Sequence, residues 1–258
     1  LSNVADISFR LENAFKETCP IVTKARIKKL WGNYPELPSV TNPDFLSVRE
    51  GFTSRELYRE QYGFILMTEE FIQELDTVLR SKKIKNFVEL GAGTGFFALN
   101  LNNIIPGIGY TLELNSNNKQ WCMRKGPIYN KAIKDSILHI GDIRQIKHKQ
   151  SYDMIVSTWV PLGGGQEHIE FMANNKISEW YLTINEAEGG CTGSEEYWRW
   201  VEKTFEPVHR FETYRTFSML WDEAILWRKL TMYRRLKRYL GRVLTRLNTK
   251  NSFKNKRI

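Results

Sequence analysis

The run Phe87-Val88-Glu89-Leu90-Gly91-Ala92-Gly93-Thr94-Gly95 decides the fold. Val88 and Leu90 are strand formers and Phe87 adds bulk, so the run opens as a short buried strand. An acid, Glu89, stands just before the turn. Gly91, Gly93 and Gly95 carry no Cβ, so the backbone can turn sharply and approach a ligand closely. From Phe96 to Leu101 the apolar residues recur at helical spacing. Strand, glycine turn and helix together form the usual cradle for a nucleotide-type cofactor at the edge of an α/β sheet.

Working outward, Thr68 is a good helix N-cap, with Glu69 and Glu70 in the first turn where the helix dipole favours acids. Phe71, Ile72, Leu75, Val78 and Leu79 supply that helix's buried face. Gly63 separates it from an upstream region that reads as helical over residues 1–34, with a break at Pro20, and again over residues 44–62. Downstream, strands are predicted over residues 109–114, 136–140, 152–157 and 179–184, with helices over 118–123 and 167–174 between them. Thr192 with Glu195 reads as a capping box opening a helix over residues 194–205. Two strand-like runs, residues 208–214 and 223–227, close the pattern. The alternation predicts a doubly wound, mostly parallel seven-stranded sheet with one antiparallel strand. The chain divides into an N-terminal helical extension (1–62), the core (63–229) and a basic amphipathic helix with a tail (230–258).

A 41% apolar content over 258 residues is enough for such a core, and the 25 Tyr and Phe beside eight Trp exclude a disordered chain. No apolar run approaches the roughly 18 residues of a membrane span. Cys19, Cys122 and Cys191 lie far apart, and the four histidines do not cluster, so neither a disulfide framework nor a metal site is read. No signal-peptide pattern opens the chain, and Leu1 in place of an initiator Met reads as a trimmed or processed product. The expected location is the cytoplasm or another reducing compartment.

The glycine spacing is G-x-G-x-G, not the G-x-G-x-x-G of dinucleotide enzymes. With the preceding Glu89 it resembles motif I of class I S-adenosylmethionine-dependent methyltransferases. That resemblance implies the Rossmann-like methyltransferase fold, whose extra antiparallel strand fits the terminal strand pair, and S-adenosylmethionine as cofactor. A carboxylate near the turn suits the ammonium at the methionine end of that molecule. Glu113, ending the second strand, can accept both ribose hydroxyls. Asp142 ends the third strand, where the family places an acid or amide against the adenine amine, and Ile143 could pack on the ring. Gly91, Gly93, Gly95 and Ser157 complete the expected cofactor set. A narrower likeness rests on Tyr62-Gly63-Phe64, Ser157-Thr158-Trp159-Val160-Pro161 and the Gly-Gly-Cys-Thr-Gly loop at 189–193. These resemble a poorly characterised methyltransferase-like group over residues 50–230, with Val160 replacing a proline of its Ser-Trp-Pro-Pro motif.

The acceptor side is expected at the end of the fourth strand, with Thr158, Trp159 and Pro161 as the catalytic set. The run resembles the [Asp/Asn/Ser]-Pro-Pro-aromatic motif of amino-group methyltransferases, with Leu162 where the aromatic should stand. Trp159 reads either as a stacking platform for a base or as a buried residue closing the sheet. Gly163-Gly164-Gly165 reads as a substrate gate or a plain connection. Glu167 and His168 read as a source of base or, preferably, as a solvated first helical turn; Cys191 is a weak nucleophile candidate.

Twelve of the 38 Lys and Arg lie from Ala224 onward with no acid among them, while the rest of the chain carries 26 against 29 acids. The basic character therefore belongs to the C-terminal segment. From Leu230 apolar residues recur at helical spacing, with Arg234, Arg235, Lys237, Arg238 and Arg242 on the other faces. Nucleic acid, RNA in preference, is the expected partner, with an anionic membrane surface or a protein groove as alternatives. The expected function is S-adenosylmethionine-dependent methylation of nucleic acid. The alternatives are a non-catalytic methyltransferase-like subunit, or a protein or small-molecule methyltransferase.

Overall fold

A computed structural model describes residues 24–31, 36–50, 52–112, 125–146, 151–175, 178–186, 190–218 and 220–231. Among the described residues four helices, α1 (Lys24–Trp31), α2 (Pro43–Glu50), α3 (Phe52–Tyr62) and α4 (Glu69–Ser81), precede the glycine turn. Then come β1 (Phe87–Leu90), α5 (Phe96–Asn102), β2 (Gly107–Thr111), α6 (Pro127–Lys134) and β3 (Leu138–Ile140). After a 3-10 turn at Ile143–Gln145 follow β4 (Met154–Thr158), α7 (Gln166–Asn174), β5 (Trp180–Glu186), α8 (Glu195–Thr204), β6 (Phe205–Arg210) and β7 (Asp222–Lys229).

The strands form one seven-stranded sheet in the order β3-β2-β1-β4-β5-β7-β6. Strands β1 to β5 pair in parallel, and β7 runs antiparallel to both β5 and β6. The expected seven-stranded sheet with one reversed strand is therefore what forms. Chain order runs outward in opposite directions from β1 and from β4, so the crevice between their carboxyl ends is the topological switch point.

Both faces of the sheet are covered, which is why β1, β4 and β5 read as near-continuous apolar runs. Alternation along each strand sends side chains to two cores. Val88, Leu90, Ile155 and Tyr181 meet Phe171, Tyr197 and Val201 of α7 and α8. Phe87, Met154, Val156 and Leu182 meet Phe71, Leu75, Phe96 and Leu99 on the opposite side. Glu89 falls on this second face, at a position where an apolar residue would be expected.

The N-terminal helices share that second core. Ile27, Trp31, Phe45 and Tyr58 are buried in it. Trp31 packs edge-on to Tyr58 at 4.8 Å, and its Nε1 donates to the Met67 carbonyl at 2.9 Å. Tyr58 donates its hydroxyl to the Ile65 carbonyl at 2.7 Å. Together these hydrogen bonds lead the chain from α3 past the glycine turn and into α4. Thr68 caps α4 as expected, its Oγ1 accepting from the Phe71 amide.

Three element readings need correction. The cap of α8 is Ser194, which accepts from the Tyr197 amide at 3.1 Å, while Thr192 donates its hydroxyl to the Glu186 carbonyl at 3.0 Å. The 192–193 segment is drawn toward β4 by the Gly193 amide, which donates to the Val160 carbonyl at 2.9 Å, so the helix starts after it. Strand β2 begins at Gly107, not 109. A Cβ on Gly107 would lie 2.2 Å from the Phe87 ring, so glycine there marks close packing between strands, not a turn. Strand β6 begins at Phe205 because α8 runs directly into it, and it bulges between Pro207 and His209. The helices expected over 118–123 and beyond residue 231 lie outside the described residues.

Candidate functional site

A cavity of about 540 Å³ opens at the switch point. It is lined by the glycine turn, by residues 62–65 ahead of α4, and by the ends of β2, β3 and β4 with the residues that follow them. The turn's amides and the residue 62–65 segment are tied together, because Thr94 donates its hydroxyl to the Tyr62 carbonyl at 2.9 Å. Gly91 (φ 73°) and Gly93 (φ 53°) adopt the left-handed backbone that side chains avoid, and both line the cavity. Gly95 does not line it. It caps α5, and a Cβ there would meet Ala132 Cβ at 2.9 Å and Leu138 Cδ2 at 3.0 Å, so its part is to seat the helix on the sheet.

Glu89 is fully buried on the cavity floor. Its Oε1 accepts from the Thr158 hydroxyl at 2.8 Å, a contact that the parallel β1–β4 pairing makes possible. Its Oε2 has no hydrogen-bond partner among the described residues. Burial pushes the carboxyl pKa up to about 7, against the opposing pull of the Thr158 hydroxyl and the Ala98 amide in the first turn of α5. A carboxylate with one free buried oxygen beside a glycine turn is a ready partner for a cation.

Asp142 and Ile143 line the cavity at the end of β3, and Ile143 is buried. Asp142 is already engaged. Its carboxylate accepts from the Arg144 amide at 3.0 Å and is forked by the Arg144 guanidinium, which holds its pKa below the ordinary carboxylate value. Glu113 lies outside the described residues, as do Arg234, Arg235, Lys237, Arg238 and Arg242.

Ser157 requires correction: it does not line the cavity. Alternation along β4 turns Thr158 to the cavity and Ser157 to the other face, where it is buried beside the Tyr181 and Tyr197 hydroxyls, themselves paired at 2.7 Å. Trp159 and Pro161 do line it. Trp159 holds φ 46°, costly for a bulky side chain, with its amide donating to the Ile184 carbonyl at 2.9 Å. Its indole is partly buried against the second core, with Nε1 buried, and stacks on Phe64 with centroids 4.8 Å apart and planes 16° apart.

The chain after Trp159 is fixed by a side chain that the sequence did not flag. Buried Asn185 of β5 accepts from the Val160 amide at 2.8 Å through Oδ1. Asn185→Leu is expected to leave that amide unsatisfied and to cost about 1–3 kcal/mol in a urea titration. Wild-type stability in this variant would show that water replaces the contact. The Gly163–Gly165 loop does not line the cavity and is held by backbone hydrogen bonds. Gly163 donates to Gly193, Gly164 donates to Pro161, and the Ser194 amide donates to Gly164.

Glu167 and His168 are not a solvated turn. His168 is buried and both residues line the cavity. The imidazole Nδ1 lies 3.6 Å from Glu167 Oε1, and Nε2 lies 3.4 Å from the Leu90 carbonyl oxygen. The neighbouring His168 draws the Glu167 carboxyl pKa down to about 2. Cys191 is exposed and does not line the cavity, so it is out of reach as a nucleophile there. Among the described residues no helix is long and apolar enough to cross a membrane.

No protein-family model matches the sequence, and no curated protein does. Among solved structures the chain is similar to a candidate RNA methyltransferase from Pyrococcus horikoshii, at 14% identity over 81% of this chain and 100% of that one, with a TM-score of 0.43. It is similar to magnesium protoporphyrin IX methyltransferase from Synechocystis, at 11% identity over 74% of this chain and 100% of that one, TM-score 0.43. It is also similar to the N-methyltransferase NodS from Bradyrhizobium japonicum, at 16% identity over 63% of this chain and 98% of that one, TM-score 0.41. Likeness at this level adds nothing to what the strand order itself carries. One sheet ordered β3-β2-β1-β4-β5-β7-β6 with only β7 reversed, and a glycine turn opening the cavity at the end of β1, is the fold of the class I S-adenosylmethionine-dependent methyltransferases.

Proposed function

We propose that the chain binds S-adenosylmethionine in this cavity and transfers its methyl group to nucleic acid, with RNA the preferred acceptor. The observation that carries the donor half is the unpartnered, fully buried Oε2 of Glu89 beside the left-handed glycines. Glu89 would meet the donor's ammonium, and the turn's bare backbone would accept its close approach. Glu113 is assigned the ribose hydroxyls, Asp142 the adenine amine, and Ile143 a face of the ring. Asp142 keeps that assignment only by sharing its carboxylate with Arg144.

When bound, the donor supplies a methyl group on a sulfonium. The protein's part is to orient the acceptor in line with it and to exclude water. Thr158 holds the Glu89 carboxylate in place. Trp159, stacked on Phe64, and Pro161 form the wall that an acceptor would pass. The nucleic-acid half is supported by the twelve Lys and Arg from Ala224 onward, which would release counterions on binding phosphates.

Titration calorimetry with S-adenosylmethionine tests the donor half, and absence of heat would remove the enzyme reading. Incubation of a cellular extract with methyl-labelled donor tests the acceptor half: label is expected in the RNA fraction. Label confined to protein or small molecules would replace RNA as substrate, and RNA binding without transfer would favour a non-catalytic subunit. Deleting residues 231–258 is expected to remove most salt-sensitive RNA binding. Binding of anionic vesicles but not RNA by the full chain would assign the basic segment to a membrane surface.

A further inference from the structure

We propose that Arg55 and Arg59 of α3 form, with the Phe64–Trp159 pair, a phosphate-binding lip that receives single-stranded RNA at the mouth of the cavity. The proposal rests on the RNA-methylation reading above and moves part of acceptor recognition from the basic C-terminal segment to the N-terminal helices.

The two arginines are four residues apart on α3 and so share one face of it. The Arg55 guanidinium carbon lies 5.9 Å from the Trp159 ring centroid, and that of Arg59 lies 5.4 Å from the Phe64 centroid. The two rings stack on each other and both line the cavity, while neither arginine does. Both guanidinium groups therefore lie over rings that line the cavity, while not lining it themselves.

The charge of Arg55 is uncompensated and that of Arg59 is met on one side only. Among the described residues no carboxylate lies within ion-pair distance of Arg55. Arg59 pairs with Glu56 through Nη2, but its Nε is buried without a partner. Arg55 is partly buried and the Arg59 side chain is only 16% exposed, and a ring face offsets the loss of water around a guanidinium only in part. An anion supplied by a ligand would complete the arrangement. The planar guanidinium fork matches phosphate oxygens two at a time. The donor's own carboxylate is the less suitable anion, because the donor's polar end is assigned to Glu89 and the glycine turn inside the cavity. An acceptor that brings phosphates and flat bases together fits a lip built of arginines and aromatic rings.

The strained backbone at Trp159 supports the same assignment. A bulky residue at φ 46° turns its indole onto Phe64 while its amide stays in the sheet. The turn costs stability and places the ring between Phe64 and Arg55 with its Nε1 buried.

The test uses the full chain and a short, fluorescein-labelled, single-stranded oligoribonucleotide of mixed sequence, followed by anisotropy at rising salt. Arg55→Met keeps the apolar stem over the indole and removes the charge. It is expected to weaken binding several-fold and to make the log–log salt slope shallower by about 0.7, one phosphate contact on a single strand. Arg55→Lys should restore the slope but not the full affinity. Arg80→Met, on the exposed end of α4, should bind as wild type. Calorimetry with S-adenosylmethionine should be unchanged in Arg55→Met. A wild-type slope in Arg55→Met overturns the proposal. So does a fall in donor affinity with RNA binding intact, which would give the arginine to the donor's carboxylate. If the wild-type chain itself binds no RNA, the RNA reading fails before the lip is at issue.

Discussion

Glu89→Gln is expected to make the protein more stable at pH 8 by about 3 kcal/mol and, at the same time, to weaken donor binding by about 10- to 100-fold. The carboxyl is fully buried, and burial raises its pKa from 4.5 to about 7. In the unfolded chain the group loses its proton near 4.5. Between the two values the folded state holds more protons than the unfolded state, so stability falls as pH rises through this window. The loss is complete above about pH 7 and amounts to about 1.4 kcal/mol for each unit of separation. Gln can still accept from the Thr158 hydroxyl but never ionises, so the variant and wild type should converge near pH 4.5 and diverge to the full difference by pH 8. Urea titrations across that range measure it directly. A difference that does not change with pH would mean that the carboxyl ionises in the folded chain as it does in the unfolded one, because water reaches it.

With the donor placed as proposed, the same residue is expected to make donor affinity pH-dependent. An ammonium at the free Oε2 requires the carboxylate, so wild-type affinity for S-adenosylmethionine should rise as pH passes upward through about 7 and level off above it. In Glu89→Gln the affinity should be low and flat. Enhanced stability joined to lost binding is the expected pattern for a group kept in the core for its chemistry. A merely structural carboxylate would lose stability when replaced.

What could be read in the sequence was local. The glycine turn, the strand at β1 and the cap at Thr68 each sit within a few residues, and the mostly parallel seven-stranded sheet with one reversed strand followed from the number and spacing of strand–helix units. Faces were harder. Ser157 and Thr158 are both short hydroxyl residues ending β4, and a shift of one residue decides which of them meets the cavity. The partners that shape the site were hidden by distance. Asn185 holds Val160 because β5 lies beside β4, and His168 reaches the Leu90 carbonyl from a helix 78 residues further along the chain. Phe64 could be seen as part of a motif, but its stacking on Trp159 depends on a left-handed tryptophan that no propensity favours. The sequence reads Gly109 as the start of a strand and leaves Gly107 outside it, because their reason for being glycine, the Ala92 methyl and the Phe87 ring, lies on other elements.

Gly165 shows how strongly one such packing constraint can bear on the site. Gly165→Ala is expected to cost about 2–5 kcal/mol, from two sources that add. The residue sits at φ 107°, a conformation that L side chains rarely adopt. A Cβ there would also lie 2.6 Å from Cδ2 and Cγ of Tyr197. That ring cannot yield easily, since it is fully buried in the α7–α8 core and its hydroxyl is paired with that of Tyr181. Gly165 is also the N-cap of α7, and its carbonyl accepts from the amides of His168 and Ile169. Moving it moves the first turn of α7, and with it Glu167 and His168 on the cavity wall. Donor affinity should therefore fall even where the variant is still folded, as calorimetry in the cold would show. Gly163→Ala is the matched control: its φ is 73°, but nothing lies within 4 Å of its Cβ, so only the backbone cost of about 1 kcal/mol applies. If the two alanine variants lose the same stability, the Tyr197 contact contributes nothing and the wall of the cavity is softer than the geometry requires. A loss at Gly165 several-fold larger than at Gly163, with donor binding affected only at Gly165, is the result that ties the glycine loop to the site through α7.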